Sequence, residues 1–129
     1  MDYIESAANA KIKLAASLQN RRHREKEGLF LVEGVRLAEM AVASAWEIVY
    51  ALCTDAAAAE PRTKKILTLL DERGCPVFST REEIYKKASA TMSPQGFLLV
   101  MRQQKAKLDD LLTEERTPFF VVLDGLQDP

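Results

Sequence analysis

The stretch Leu29–Ser44 reads "LFLVEGVRLAEMAVAS" and combines two kinds of secondary-structure signal. Its first four residues, Leu29–Val32, form an apolar run with the length of a buried strand, and Glu33-Gly34 interrupts it. From Val35 to Ser44 the apolar residues recur at helical spacing. The stretch therefore predicts a strand, a turn and a helix, which is the alternation typical of α/β proteins.

The rest of the chain repeats this alternation. The pattern predicts further helices at 9–19, 62–73 and 80–87, and further strands at 47–53, 76–79, 97–101 and 119–123. The helix at 80–87 is predicted to start with a capping box, because Thr80 is followed three residues later by Glu83. We interpret residues 20–28 as a charged helix end or a loop, and 54–61 as a loop or a fraying turn.

The predicted strands are apolar throughout rather than alternating, which favours burial on both faces of the sheet. We therefore predict an α/β fold in which a four-stranded sheet lies between helical layers, a three-layer α/β/α sandwich spanning about 9–102. Residues 1–102 are expected to form one domain and the polar residues 103–117 a linker or short helix. Residues 118–129, "PFFVVLDGLQDP", look like the truncated start of a second α/β unit.

Composition narrows the classes of protein to consider. The hydrophobic fraction of 47% and the charged fraction of 29% are ordinary for a globular domain with a sizeable core. No apolar run approaches the roughly 18 residues that a membrane span needs, so we expect no membrane association. Asp2 and Glu5 argue against a signal peptide, and we expect a cytoplasmic protein. Cys53 and Cys75 are interpreted as reduced thiols, and a single histidine, His23, argues against a metal site.

The net charge of -1 conceals a basic segment near the N-terminus. Six basic residues and one acid, Glu25, lie in it; the basic ones are Lys11, Lys13, Arg21, Arg22, Arg24 and Lys26. Such a cluster is suited to contact nucleic-acid phosphates. A charged run of this kind is also often a solvated surface, and the pattern alone leaves both interpretations open.

The segment "LDGLQDP" suggests chemistry at the end of a strand. An aspartate-nucleophile phosphatase needs a second carboxylate two residues after Asp124, where this chain has Leu126. A dinucleotide-binding loop needs three spaced glycines, and only Gly125 is present. A plain Asp-Gly turn accounts for Asp124 and Gly125 but gives no function.

Three motifs together resemble one family. "VVLDGLQDP" (121–129), "FLVEGVR" (30–36) and "SPQG" (93–96) are similar to motifs of the SpoU-type RNA ribose 2′-O-methyltransferases of the knotted SPOUT superfamily. Residues 9–34 also resemble the opening helix, basic stretch and first strand of the family's N-terminal substrate-binding domain. The resemblance covers about residues 4–129 and is most specific in the order and separation of the motifs.

The resemblance implies an RNA-binding domain similar in fold to the ribosomal proteins that bind kinked RNA, with structured tRNA or rRNA as partner. It also implies a second, knotted domain that binds S-adenosylmethionine, forms the homodimer and transfers the methyl group. Only 123–129 of that apparatus is present, with Asp124, Asp128 and Pro129 at the start of its motif. The chain is therefore expected to be catalytically inactive and to bind no cofactor by itself.

Roles within the first domain remain alternatives at this point. Arg36 either contacts RNA or pairs with Glu33, and Glu33 either caps the helix that follows it or holds a basic neighbour. Gly34 is predicted to serve a tight turn. Gln95 and Gly96 form either a turn at the RNA-facing edge or a plain turn.

Two other classes compete with this interpretation. A non-enzymatic RNA-binding scaffold like the ribosomal proteins has the same fold but no need for residues 118–129. A small α/β enzyme unrelated to RNA needs a convergent set of reactive side chains at strand ends, and only Asp124 qualifies.

Overall fold

The computed structural model describes residues 1–105, 107, 109, 119, 121, 124 and 125. In this part of the chain five strands and six helices follow one another: β1 Asp2–Ile4, α1 Ala10–Ser17, α2 Arg21–Glu27, β2 Leu29–Glu33, α3 Val35–Ala43, β3 Ile48–Thr54, α4 Asp55–Ala59, α5 Pro61–Glu72, β4 Val77–Thr80, α6 Glu82–Ala88 and β5 Phe97–Arg102. Of these helices, none has the length and apolar character to cross a membrane.

The strands form one mixed sheet in the order β1-β4-β3-β5-β2. Strands β1 and β3 run parallel to β4, whereas β5 runs antiparallel to both β3 and β2. Four strands therefore end, and β5 begins, at a single edge of the sheet. We call this the upper edge; its residues are Ile4, Glu33, Thr54, Thr80 and Phe97.

Helices cover both faces of the sheet. Along β3, Tyr50 and Leu52 pack with α1 and α6 on one face, while Ala51 and Cys53 pack with α3, α4 and α5 on the other. Successive side chains of a strand point to opposite faces, so an all-apolar strand supplies two cores at once. The predicted α/β fold with helices on both faces is confirmed.

The predicted number of strands was wrong, because the sheet has five strands rather than four. Strand β1 is only three residues long, and of these only Ile4 is buried, so it carries no apolar run. It is held as an edge strand by its parallel pairing with β4. The predicted linker 103–117 and strand 119–123 fall largely outside the described residues.

Three local predictions also need correction. Residues 21–27 form a separate helix, α2, whose N-cap Asn20 accepts a hydrogen bond from the Arg22 amide. Residues 55–59 form the short helix α4 rather than a loop. The capping box at Thr80 does not form, because Thr80 is buried in β4 and its hydroxyl donates to the Ile4 carbonyl at 2.7 Å.

Candidate nucleic-acid interface

The motifs "FLVEGVR" and "SPQG" meet at the upper edge. The Gly34 amide donates to the Phe97 carbonyl at 2.9 Å, which joins the start of α3 to the start of β5. Gly34 has a φ of 94°, and a Cβ built there would lie 2.7 Å from Oε1 of Gln95. Glycine at position 34 therefore allows the Gln95 carboxamide to lie against the first turn of α3.

Gly96 makes a second close approach in the same place. Its φ is 73°, and an added Cβ would lie 2.6 Å from Oγ1 of Thr54 and 3.0 Å from Cβ of Ala57. The Gly96 carbonyl accepts from the Thr54 amide at 2.8 Å. The "SPQG" loop is thus fixed at its C-terminal end to the junction of β3 and α4.

Glu33 fixes the segment that leads into this loop. Its carboxylate accepts hydrogen bonds from the Ser89 hydroxyl at 2.6 Å, the Thr91 hydroxyl at 3.0 Å and the Ala90 amide at 3.1 Å. Neither predicted role for Glu33 is observed. The N-cap of α3 is Gly34, and within the described part of the chain no ion pair joins Glu33 to Arg36.

The same cluster reaches the end of α1. Gln19 Nε2 donates to the Ser89 carbonyl at 2.6 Å, and the Ser89 hydroxyl in turn donates to Glu33. Helix α2 starts immediately after, with Asn20 as its N-cap. The N-terminal end of the basic helix therefore lies next to the Glu33 cluster, whereas its C-terminal end leads through Gly28 into the start of β2, at the opposite end of that strand.

Two of the six basic residues make contacts within the fold. Arg24 Nη1 donates to the carbonyls of Leu18 and Gln19, both at 2.9 Å, at the C-terminal end of α1. Lys11 Nζ lies 4.7 Å from the centre of the Phe78 ring and 5.1 Å from that of Tyr50, in cation–π range.

The other four basic residues are exposed. Arg21 pairs with Glu25 at 2.8 Å, and Lys26 lies 4.0 Å from Glu27. Exposed pairs of this kind contribute about 0–1 kcal/mol, so a phosphate can displace them. Lys13 and Arg22 form no ion pair with the residues that the structure describes.

A large cleft opens at the upper edge, but its charge is unsuited to phosphate. It has a volume of about 590 Å³ and lies between the ends of β3 and β4 and the "SPQG" loop. Its lining includes one cation, Arg81, and four carboxylates: Asp55, Glu60, Glu82 and Glu83. Like charge repels a phosphate backbone, so the cleft itself is unsuited to bind one.

Family comparison identifies the family of this domain. A family model described as the MRM3-like substrate binding domain matches residues 9–99. The chain belongs to this family. The match contains the basic helix, the Glu33-Gly34 turn and the "SPQG" loop, and the resemblance to SpoU-type methyltransferases is confirmed.

The relative that matches the whole chain is longer than the chain itself. The chain is 30% identical over 129 residues to the 23S rRNA (guanosine(2553)-2′-O)-methyltransferase RlmP of Bacillus subtilis strain 168, an alignment that covers all of this chain. The chain spans 46% of that relative's length, slightly less than half.

Solved structures agree with the fold. A crystal structure of an RNA 2′-O ribose methyltransferase matches with a TM-score of 0.71 and 29% identity, covering 91% of this chain and 42% of that one. An AdoMet-bound rRNA methyltransferase from Sinorhizobium meliloti matches with a TM-score of 0.70 and 21% identity, covering 84% of this chain and 39% of the other. At 21% identity the second match supports the fold alone.

Some of the predicted functional residues lie far along the chain, and the structure adds others that the sequence did not indicate. Asp124 is described and exposed, whereas Asp128 and Pro129 lie outside the described residues. Sequence reasoning missed Arg62 and Thr63, which line a second cleft at the upper edge together with Arg36 and Gln95. No sequence motif marks these two residues, since only the packing of α5 beside α3 brings them there.

Proposed function

We propose that this chain is the RNA-binding, substrate-positioning domain of an S-adenosylmethionine-dependent ribose 2′-O-methyltransferase acting on tRNA or rRNA. The alignment of the whole chain with less than half of a 23S rRNA 2′-O-methyltransferase carries this proposal. The matched family, a substrate-binding domain, supports the division of labour. The fold is proposed to act as the kinked-RNA-binding ribosomal proteins do, by accepting folded RNA against one edge of its sheet.

RNA contact is proposed to follow the upper edge from α2 to the "SPQG" loop. Arg21 and Arg22, at the start of α2, contact phosphates beside the upper edge, and Lys13 and Lys26 contact phosphates farther from that edge. Arg36 and Gln95 contact the backbone on the other side. Phosphate contacts position RNA without reading its sequence, which is the task of a substrate-positioning domain. Lys11 and Arg24 act indirectly in this proposal, by holding α1 and α2 in place.

The cofactor is assigned to the remainder of the parent protein. When bound there, S-adenosylmethionine supplies the methyl group. The large cleft of this domain does not fit it, because its one aromatic lining residue, Tyr85, is completely buried and offers no ring face for the adenine to stack on. We therefore propose that the chain alone is inactive. Asp124, Asp128 and Pro129 begin the motif of a knotted catalytic domain through which the parent forms a homodimer.

A non-enzymatic RNA-binding scaffold is the second candidate. It explains the domain equally well, but it gives no reason for residues 103–129 to align with a methyltransferase. The alignment with the Bacillus subtilis enzyme includes those residues and favours the enzyme.

The test is a methylation assay on the full-length parent with structured rRNA and tRNA and radiolabelled S-adenosylmethionine. Methylation of a ribose 2′-hydroxyl blocks alkaline cleavage of the adjacent phosphodiester, so label should appear in alkali-resistant dinucleotides. Label confined to mononucleotides would assign the methyl group to a base and contradict the proposal. RNA binding without any methyl transfer would favour the scaffold.

A further inference from the structure

The second cleft at the upper edge lies between the N-termini of α3 and α5. We call it the α3–α5 cleft; it has a volume of about 490 Å³ and is lined by Val35, Arg36, Glu60, Pro61, Arg62, Thr63 and Gln95. It adjoins the large cleft, with which it shares Glu60 and Gln95. Unlike the large cleft, its lining contains more cations than anions, with two arginines, Arg36 and Arg62, and one carboxylate, Glu60.

Both helices present the positive ends of their dipoles to this cleft. Helix α3 has nine residues and α5 has twelve, and neither N-cap, Gly34 or Glu60, makes a side-chain capping bond with any described residue. The backbone amides of a first turn have no partner within their own helix. In α5 these are the amides that follow Pro61, which itself has no N–H. Two uncapped first turns at one cleft create an environment that favours an anion.

Thr63 gives an independent indication of a ligand. Its side chain is completely buried and lines the cleft, yet Oγ1 has no hydrogen-bond partner among the described residues. Leaving a buried hydroxyl unsatisfied costs about 1–3 kcal/mol. Rotation of the Thr63 side chain toward the cleft would let an acceptor bound there satisfy it.

The charged side chains around the cleft set the balance. Arg36 is exposed and forms no ion pair with the described residues. Arg62 donates to both carboxylate oxygens of Glu39, at 3.0 and 2.6 Å. Glu60 also lines the cleft, so the two arginines are balanced by two glutamates, Glu39 and Glu60. The helix termini therefore decide the sign of the electrostatic potential in the cleft. The Glu39 pair also leaves Nη1 of Arg62 without a bond to that carboxylate.

We propose that the α3–α5 cleft binds one phosphate group of the RNA, held by the first-turn amides, the Arg36 guanidinium, the Thr63 hydroxyl and the Gln95 carboxamide. That this phosphate belongs to RNA rests on the proposed function, whereas the affinity of the cleft for a phosphate group does not. Gly34 contributes by leaving room for Gln95 against α3. In this proposal, residues of the motifs "FLVEGVR" and "SPQG" contact the same phosphate group.

The test measures RNA affinity of the chain over a range of salt concentrations for wild type, Arg36→Ala and Thr63→Val. Arg36→Ala should weaken binding about tenfold and lower the salt slope by roughly 0.7–0.9, the loss of one phosphate contact. Thr63→Val should weaken binding severalfold. It should nevertheless raise the urea midpoint, because valine has nearly the shape of threonine but lacks the unsatisfied hydroxyl. Lys64→Ala is the matched control: it removes an exposed cation of α5 outside the cleft and should change affinity less than twofold.

A second arm separates free phosphate from RNA phosphate. Millimolar inorganic phosphate, but not chloride at equal ionic strength, should shift the NMR amide signals of Arg36 and Thr63. Wild-type RNA affinity retained by both Arg36→Ala and Thr63→Val would overturn the proposed subsite. If the wild-type chain bound no RNA while phosphate still shifted these amides, the proposed function would fail and the phosphate site would stand.

Discussion

Two glycines illustrate how single residues set the geometry of the upper edge. Gly34 and Gly96 both have positive φ and both leave space that another element occupies. They differ in what a methyl group would meet. At position 34 it would meet the flexible end of Gln95, whereas at position 96 it would meet Thr54 and Ala57, which the junction of β3 and α4 holds in place.

Gly96→Ala should therefore destabilise the domain by about 3 kcal/mol, the sum of backbone strain and overpacking. Gly74→Ala is the matched control, because Gly74 has a φ of 64° but open space around it; it should cost about 1 kcal/mol. Urea denaturation followed by circular dichroism measures both values. Equal losses for the two variants would show that the contact with Thr54 adds nothing.

The Glu33 carboxylate allows a second prediction at this scale. Glu33→Gln places an amide group among the donors Ser89, Ala90 and Thr91 and should lower the free energy of unfolding by about 2 kcal/mol. Glu47→Gln is a suitable control, since Glu47 forms an exposed pair with Arg102 and should cost at most about 1 kcal/mol. Similar midpoints for the two variants in urea would contradict the role assigned to Glu33.

At the scale of elements, the sequence predicts the apolar strands well and the short or polar elements poorly. Strands β3 and β5 carry continuous apolar runs, and burial on both faces requires such runs. Strand β1 lacks one, and its pairing with β4 appears only in the tertiary structure. The Thr80 capping box failed for the same reason, because a distant carbonyl at Ile4 takes its hydroxyl.

The candidate site shows the same limit. Its motifs were visible in the sequence, but the partners of Glu33 lie more than fifty residues away along the chain. Likewise, no local pattern separates Arg24, which donates to the end of α1, from Arg21 and Arg22, which are exposed.

Helix α2 therefore predicts a separation of stability from binding between Arg22 and Arg24. Arg24→Ala removes two hydrogen bonds from a charged donor to α1 and should cost about 2 kcal/mol of stability. Arg22→Ala should leave the free energy of unfolding unchanged within about 0.5 kcal/mol but weaken RNA binding. Titrations of structured RNA, compared with urea curves for each variant, check both halves. Loss of stability in Arg22→Ala would show that it also makes contacts within the fold.

For the whole molecule, the buried ionisable groups predict a loss of stability at alkaline pH. Burial raises the pKa of the Cys53 thiol to about 11, and it also raises the pKa of the Tyr50 and Tyr85 hydroxyls. These groups stay protonated in the folded chain, while the unfolded chain releases their protons at lower pH. Stability from this source is complete below about pH 8.5 and falls as pH rises.

The free energy of unfolding, measured by urea denaturation, should accordingly be constant from pH 7 to 8. At pH 10.5 it should be lower by about 2 kcal/mol or more. Cys53→Ala should show a smaller fall over the same interval, because one of the titrating groups is gone. A midpoint independent of pH up to 10.5 would contradict the burial of these groups.

The central claim is that this domain positions structured RNA through backbone contacts along the upper edge. Fluorescence anisotropy of a labelled rRNA hairpin, titrated with the chain between 50 and 200 mM salt, tests it most directly. We predict a binding constant whose logarithm falls linearly with the logarithm of salt concentration, with a slope of roughly -3.5 to -4.5 for about five phosphate contacts. Lys13→Glu combined with Arg22→Glu should weaken this binding strongly at 50 mM salt without changing the urea midpoint. Absence of binding at 50 mM salt, or binding that neither salt nor this double substitution affects, would contradict the account.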